Sequence, residues 1–392
     1  MRNEGLSSRV RLRLLMKGLE ALASVRTRAG VDRGAALRVV HVSPTRFHDN
    51  SVIGGGERYA EFLASAMAAQ VDTTLITFGA ARSHSRRGRL GIEVYPTLQP
   101  RRGSRPTRPG AGFLWALARF DVVHCHQFWT IPTYMAILAA GALGKRVFVT
   151  DLGGREENLV DRYRLESHVD AFLAVSEFSA RSLPDVVPKR VVFGGVAEIF
   201  TGEPPVGISK RGVLFVGRIL PHKGIDQLIR AISPNVPLTV AGRVYDPAYF
   251  SLLTRLADGK DVRFVTDADD LRLRCLYQAA VVTVLPSLYQ DIYGTMHPLS
   301  ELLGLVLLES MACGTPVVCT AVGGMPEIVE EGVTGFIVPP NDTRALGERI
   351  GYLVENPREA VRIGRQGREC VLRDFSWAAV ADRCMSAYTA KG

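Results

Sequence analysis

The sequence predicts an α/β protein in which two doubly wound parallel sheets face a cleft. Three observations carry this. Short apolar strand patterns alternate with helical patterns from residue 37 to the C-terminus. A Pro/Gly-rich stretch at 201–211 divides that alternation into two blocks. Loops leaving the strands carry glycines or cations, as in open sheets that gather ligands at the carboxyl ends of their strands. A length of 392 residues suits two or three domains.

Bulk composition narrows the class. A hydrophobic content of 47% is ordinary for a globular chain. No apolar run reaches the ~18 residues of a membrane span. Six cysteines stand at 125, 275, 313, 319, 370 and 384, with no Cys-x-x-Cys pair or zinc spacing. They read as ordinary buried thiols in a reducing cytoplasm. The basic N-terminus has no clean apolar core ahead of a cleavage site, so a secretory signal is not expected. The net charge of +9 sits in two places. Residues 1–36 hold eight Lys/Arg against three acids, and 82–108 hold eight Arg against Glu93. The rest of the chain is therefore slightly acidic. Such patches suit an anionic membrane surface, a phosphorylated substrate or a nucleic acid, or are simply solvated. Nucleic acid is disfavoured, because the arginine loops lack interleaved aromatics for base stacking.

In chain order, residues 9–25 place apolar side chains at 12, 15, 16, 19 and 22, with Arg13, Lys17 and Glu20 opposite. That spacing reads as a surface-lying helix or, given Gly18, as a disordered leader. Residues 37–44 form a strand. Gly54, Gly55 and Gly56 then open a helix to about Gln70, where close backbone approach and a helix N-terminus favour an anion. A dinucleotide fingerprint fails here, since Tyr59 stands where a third glycine is needed. Strands follow at 73–78 and 92–97, with arginine-rich loops between them and at 101–108. Residues 121–127 form a buried strand whose His124 and His126 share one face. With no third ligand nearby in sequence, a zinc site is not expected. Ser176 is placed to cap the next helix. After the linker, a strand at 212–217 leads to Arg218 and Lys223 on its exit loop, where two cations suit a diphosphate. Further strands are expected at 238–242, 262–265 and 282–286, and Asp342 is placed to cap a late helix.

The densest stretch is 286–324. A helix over 302–313, apolar nearly all round, should be buried. Glu301 at its start and Glu309 within it would lie ~12 Å apart along the axis. A carboxylate in an apolar helix must be paired or bound. Two at this spacing suit a clamp on a long polyhydroxyl ligand. The bland alternative makes Glu301 an exposed helix-start acid and pairs Glu309 with a buried arginine.

The run Glu301-x7-Glu309 followed by Ser-Met-Ala-Cys-Gly-Thr-Pro-Val-Val resembles the retaining glycosyltransferases of family 4, which have the GT-B fold. The resemblance extends from about residue 37 to the end and includes Gly217-Arg218…Lys223-Gly224, Val322-Gly323-Gly324 and Gly335-Phe-Ile-Val-Pro-Pro340. It implies an acceptor-binding domain over 37–196, a linker over 197–211, a nucleotide-sugar-binding domain over 212–372, and a last helix over 373–392 crossing back to the first domain. It also implies roles. Arg218 and Lys223 hold the donor diphosphate, Glu301 and the helix start at Leu302, Leu303, Gly304 and Leu305 lie by the donor, and Glu309 holds the ribose. Gly55 and Gly56 lie between acceptor and donor phosphates, and His126 lies near the transferred sugar. Three departures stand out. Leu302-Leu303 replace the usual Gly-Phe, Gly194 replaces an asparagine, and the loop 288–300, with Tyr289, Tyr293 and His297, is longer than usual.

The expected activity is transfer of a hexosyl unit from a UDP- or GDP-sugar to a lipid-linked, polysaccharide or other anionic acceptor in glycan or cell-envelope biosynthesis. Neither a cofactor nor a metal is implied, since there is no Asp-x-Asp run and two cations serve the charge. The alternative is a non-catalytic or different-class nucleotide-sugar-binding protein of the same fold, epimerase-like or phosphorylase-like. The expected location is cytoplasmic, with peripheral attachment to the inner face of the plasma membrane through 1–36 and 82–108.

Overall fold

The computed structural model describes residues 36–44, 55–97, 109–153, 165–204, 207 and 209–390. The leader helix proposed over 9–25 and the arginine loop at 101–108 lie outside them. The chain divides into two compact units, Met1–Val175 with Ala180–Val192 and Val380–Gly392, and Ser176–Ser179 with Phe193–Ala379. Among the described residues no helix is long and apolar enough to cross a membrane.

The first unit is built on an eight-stranded sheet. Its strands are β1 (Arg38–Val42), β2 (Asp72–Gly79), β3 (Ser83–Arg87), β4 (Leu90–Pro96), β5 (Val122–His126), β6 (Arg146–Thr150), β7 (Ala171–Ala174) and β8 (Lys189–Val191). They run in the order β3-β4-β2-β1-β5-β6-β7-β8. All neighbours are parallel except β3 and β4. Parallel strands are covered on both faces, so Val39 to Val42 are all buried and the run shows no polar alternation. The helix Ile131–Ala142, apolar on every side, packs with the core that includes Phe113, Phe128 and Phe172. From Val380 the helix Trp377–Thr389 belongs to this unit, and it buries Cys384 and Tyr388 there. The Arg146 guanidinium donates to the Tyr388 carbonyl.

Strand β3 corrects the sequence reading, which made this segment an arginine loop. Ser83 to Arg87 pair antiparallel with β4, and all five are exposed. An edge strand with both faces in water needs no hydrophobic pattern, so periodicity could not find it.

The second unit holds a six-stranded, wholly parallel sheet in the order β11-β10-β9-β12-β13-β14. The strands are β9 (Val213–Val216), β10 (Leu238–Ala241), β11 (Val262–Val265), β12 (Val282–Leu285), β13 (Val317–Thr320) and β14 (Gly335–Val338). Asp342 caps the helix Thr343–Glu355 by accepting from the Ala345 amide at 2.8 Å. Ser176 Oγ accepts from the Ser179 amide at 2.9 Å, also as the sequence suggests. The helix expected over 302–313 is shorter, Leu305–Ala312. Gly304 adopts φ +94°, a left-handed conformation that breaks the helix before it reaches Glu301. The axial spacing of ~12 Å therefore does not apply, because residues 301–304 are not helical.

Candidate functional site

Each sheet reverses direction beside its first strand. In the second unit the chain runs outward from β9 through β10 to β11, then returns to build β12, β13 and β14 on the other side. The crevice of such a sheet opens at the carboxyl ends of the two strands flanking the reversal, here β9 and β12. Arg218 and Lys223 leave β9 there, and Ser287 and the loop to Glu301 leave β12.

The structure brings Lys223 and Glu301 together. Their charged groups meet at 2.5 Å, with only 9% and 16% of the side chains exposed. Ser287 Oγ lies 3.4 Å from the same Glu301 oxygen. Arg218 is exposed, its guanidinium 6.0 Å from the Tyr245 ring centroid. His222 sits among Lys223, His297 and Arg218. Burial first, then the Lys223 charge beside it, holds its pKa down to about 3, so it is neutral at pH 7.

The Gly323–Gly324 turn fixes Glu301 from behind. The Gly324 amide donates to the Glu301 carbonyl at 3.1 Å, and the Gly323 amide donates to the Tyr289 hydroxyl at 2.9 Å. Gly323 has φ +62°, and a Cβ there would overlap the Glu301 carbonyl. Leu303 is buried, Leu302 and Leu305 are half-buried, and Gly304 is backed by Met325. Glu309 projects from the helix Leu305–Ala312 and accepts from the Tyr277 hydroxyl at 2.8 Å. Burial, then the Glu309 charge, pushes the Tyr277 phenol well above its ordinary range and keeps it a donor.

The longer loop 288–300 is an ordered hairpin. Asp291 accepts from the Tyr293 and Thr295 amides at 2.9 and 3.0 Å and meets His297 at 2.8 Å. His297 in turn lies over His222, ring centroids 4.6 Å apart. The Leu288 amide donates to the His222 carbonyl at 2.8 Å, tying the hairpin to the Lys223 loop.

In the first unit the reversal falls between β1 and β5. His126 ends β5 and is 1% exposed. Gly55 and Gly56 open the helix Gly55–Met67, and the loop 45–54 lies outside the described residues. Contrary to the sequence reading, His124 and His126 do have a third histidine beside them. His41 on β1 places its Nδ1 2.9 Å from His126 Nε2. One buried histidine in an apolar strand was the only signal for it, and its partner lies 85 residues away. Ser287 and Tyr277 gave no signal at all.

Two doubly wound parallel-sheet domains with these groups at their strand ends define an α/β protein of the GT-B class. Residues 206–370 match the family described as glycosyl transferases group 1, and residues 53–197 match glycosyltransferase family 4. The alpha-maltose-1-phosphate synthase of Mycolicibacterium smegmatis is 33% identical over 313 residues, covering 68% of this chain and 78% of that enzyme. The D-inositol 3-phosphate glycosyltransferase of Corynebacterium efficiens is 32% identical over 197 residues, 47% of this chain. That match spans only 44% of the length of the relative. The structure of Anabaena HepE in complex with UDP superposes with a TM-score of 0.68 at 18% identity, over 89% of this chain and 99% of that one. The chain belongs to glycosyltransferase family 4.

Proposed function

We propose that this protein is a retaining glycosyltransferase that moves a hexosyl unit from a UDP- or GDP-sugar to an anionic acceptor. The observation that carries the reading is the Lys223–Glu301 pair at the reversal of the second sheet. When the bond from sugar to diphosphate breaks, negative charge grows on the leaving oxygens. Preorganised cations in a site shielded from water stabilise that charge best. Lys223, held extended by Glu301, and Arg218 supply them, and no metal is needed for the charge. Glu301 orients the sugar hydroxyls. Glu309, oriented by the hydrogen bond it accepts from Tyr277, holds the ribose. Retention follows from attack on the same face that the diphosphate leaves. His126 is the candidate that the family resemblance sets near the transferred sugar.

The acceptor is proposed to carry phosphate. The name of one relative gives its product as maltose 1-phosphate, and that of another gives its substrate as D-inositol 3-phosphate. Arginine is the side chain best suited to bidentate phosphate contact, and residues 82–108 hold eight of them. A lipid-linked or polysaccharide acceptor of glycan or cell-envelope synthesis fits the same chemistry. Peripheral attachment to an anionic membrane through 1–36 and 82–108 belongs to that version.

A thermal-shift panel of UDP, GDP, ADP and dTDP on the wild type and on Glu309→Ala tests the reading. A nucleotide at ~100 times its Kd adds ~2.7 kcal/mol to stability. One nucleotide that shifts the wild type and not the variant is the expected result. No shift from any nucleotide, or from the matching sugar nucleotides, overturns it.

A further inference from the structure

Three histidines share one face of the first sheet. Parallel register sets His41 beside His124, and the two-residue repeat of a strand sends His126 to the same side. All three are no more than 1% exposed. Five of their six ring nitrogens have partners. His124 lies 2.8 Å from the Thr150 hydroxyl through Nε2 and 2.6 Å from the Tyr388 hydroxyl through Nδ1. His41 Nδ1 lies 2.9 Å from His126 Nε2, and His41 Nε2 lies 3.4 Å from Met67 Sδ. The sixth, His126 Nδ1, is buried with no hydrogen-bond partner among the described residues.

Burial holds each imidazole well below its ordinary range, so all three are neutral at pH 7 and carry one N–H each. The proton positions then follow from Met67. A thioether sulfur has no proton to give, so the nitrogen facing it carries the N–H. His41 is therefore protonated on Nε2 and bare on Nδ1. His126 must donate through Nε2, which leaves its Nδ1 as a bare lone pair. The reverse arrangement sets two lone pairs against each other at Met67 and strands a buried N–H on His126, and burying an unpaired donor is costly.

We propose that His41, backed by Met67, is a positioning residue that locks His126 in the Nε2–H tautomer, so that Nδ1 of His126 accepts a hydrogen bond from a sugar hydroxyl. A bare lone pair repels phosphate and carboxylate oxygens, so His126 reads hydroxyl groups and leaves anions to the cationic loops. This rests on the glycosyltransferase reading above. The same histidines offer ligand atoms within 4.8 Å of one another. Both nitrogens of His124 are already engaged, however, and a metal would have to replace those bonds.

The test is long-range 15N–1H NMR of the full chain labelled in its histidine rings, with signals assigned from single variants. The expected wild-type pattern has His126 protonated on Nε2 and bare on Nδ1. His41→Phe should flip or mix that tautomer and lower kcat about tenfold or more, with donor KM nearly unchanged. His41→Asn, which keeps an acceptor near the Nδ1 position, should retain the tautomer and most of the activity. The opposite tautomer in the wild type overturns the proposal, and that reading needs no variant to fold. So does a His41→Phe protein whose His126 tautomer is unchanged, or a stoichiometric metal ion found in the purified wild type. A wild type that turns over no sugar nucleotide sinks the enzymatic reading while the tautomer result stands. Turnover with the wrong tautomer sinks only the role of His41.

Discussion

The Lys223 ammonium and the Glu301 carboxylate hold one another in a pocket that water barely enters. Removing one partner leaves the other partly buried and alone. Lys223→Met should cost about 1–3 kcal/mol in urea unfolding, and adding Glu301→Gln should recover part of that loss. Turnover should be lost in both proteins. The buried histidines make a second prediction, on pH. Their folded pKa values lie below the ordinary ~6.5, that of His41 at about 3. As pH falls below ~6.5 the unfolded chain takes up protons that the folded chain refuses, so stability falls. Each histidine contributes ~1.4 kcal/mol per pH unit. Urea midpoints should therefore drop steeply between pH 6.5 and 5.5, well above carboxylate titration, and His41→Gln should flatten the slope. A flat profile over that range would contradict the buried, neutral triad. At this scale Glu301 with Glu309, and Arg218 with Lys223, drew attention because each pair is closely spaced along the chain, whereas the meeting of Lys223 with Glu301, 78 residues away, was not legible. Nor were Tyr277 and His41, because sheet topology brings them in from 32 and 85 residues away.

Elements are decided by glycines as much as by apolar runs. Hydrophobic pattern alone extends the Leu305–Ala312 helix back to 302, and Gly304 cuts it short. The shortened helix leaves the backbone of Glu301 free to pack against the Gly323–Gly324 turn. Gly323→Ala meets both a positive φ and the Glu301 carbonyl. It should cost about 1–3 kcal/mol and weaken donor binding together, as read by urea unfolding and nucleotide titration. Gly332→Ala also sits at positive φ but in open space, so it should cost less and leave donor binding alone. Most of the parallel strands were legible from their apolar residues, but β8, Lys-Arg-Val, was not. Nor was strand β3, since Ser-His-Ser-Arg-Arg carries no core-facing residue.

Across the whole molecule, the strand and helix alternation and the break near 201–211 were enough to expect two doubly wound units. The order of strands within each sheet was not legible, because it depends on which crossover turns left or right of the first strand. That order is what gathers the Lys223 and Glu301 loops at one reversal and His41 and His126 at the other. Two units with separate cores also predict how the chain melts. In calorimetry the matching nucleoside diphosphate should raise the transition of the unit that holds Lys223 and Glu309 far more than that of the unit that holds His126. The basic stretches make a last prediction. Flotation with anionic vesicles should exceed that with neutral ones, should fall with salt, and should weaken when 1–36 is deleted.

Strand β3 also bears on how copies of this chain behave toward one another. Without it, the first sheet would end on β4, whose Leu90 to Val94 offer unpaired amides and carbonyls beside apolar side chains. Such an edge is a template on which a second molecule can extend the sheet. The two arginines of β3 and its reversed direction close that template with charge, and so guard a crowded, slowly folding parallel sheet against coalescence. Replacing Arg86 and Arg87 with valine should turn the chain toward self-association, visible as light scattering that grows with concentration.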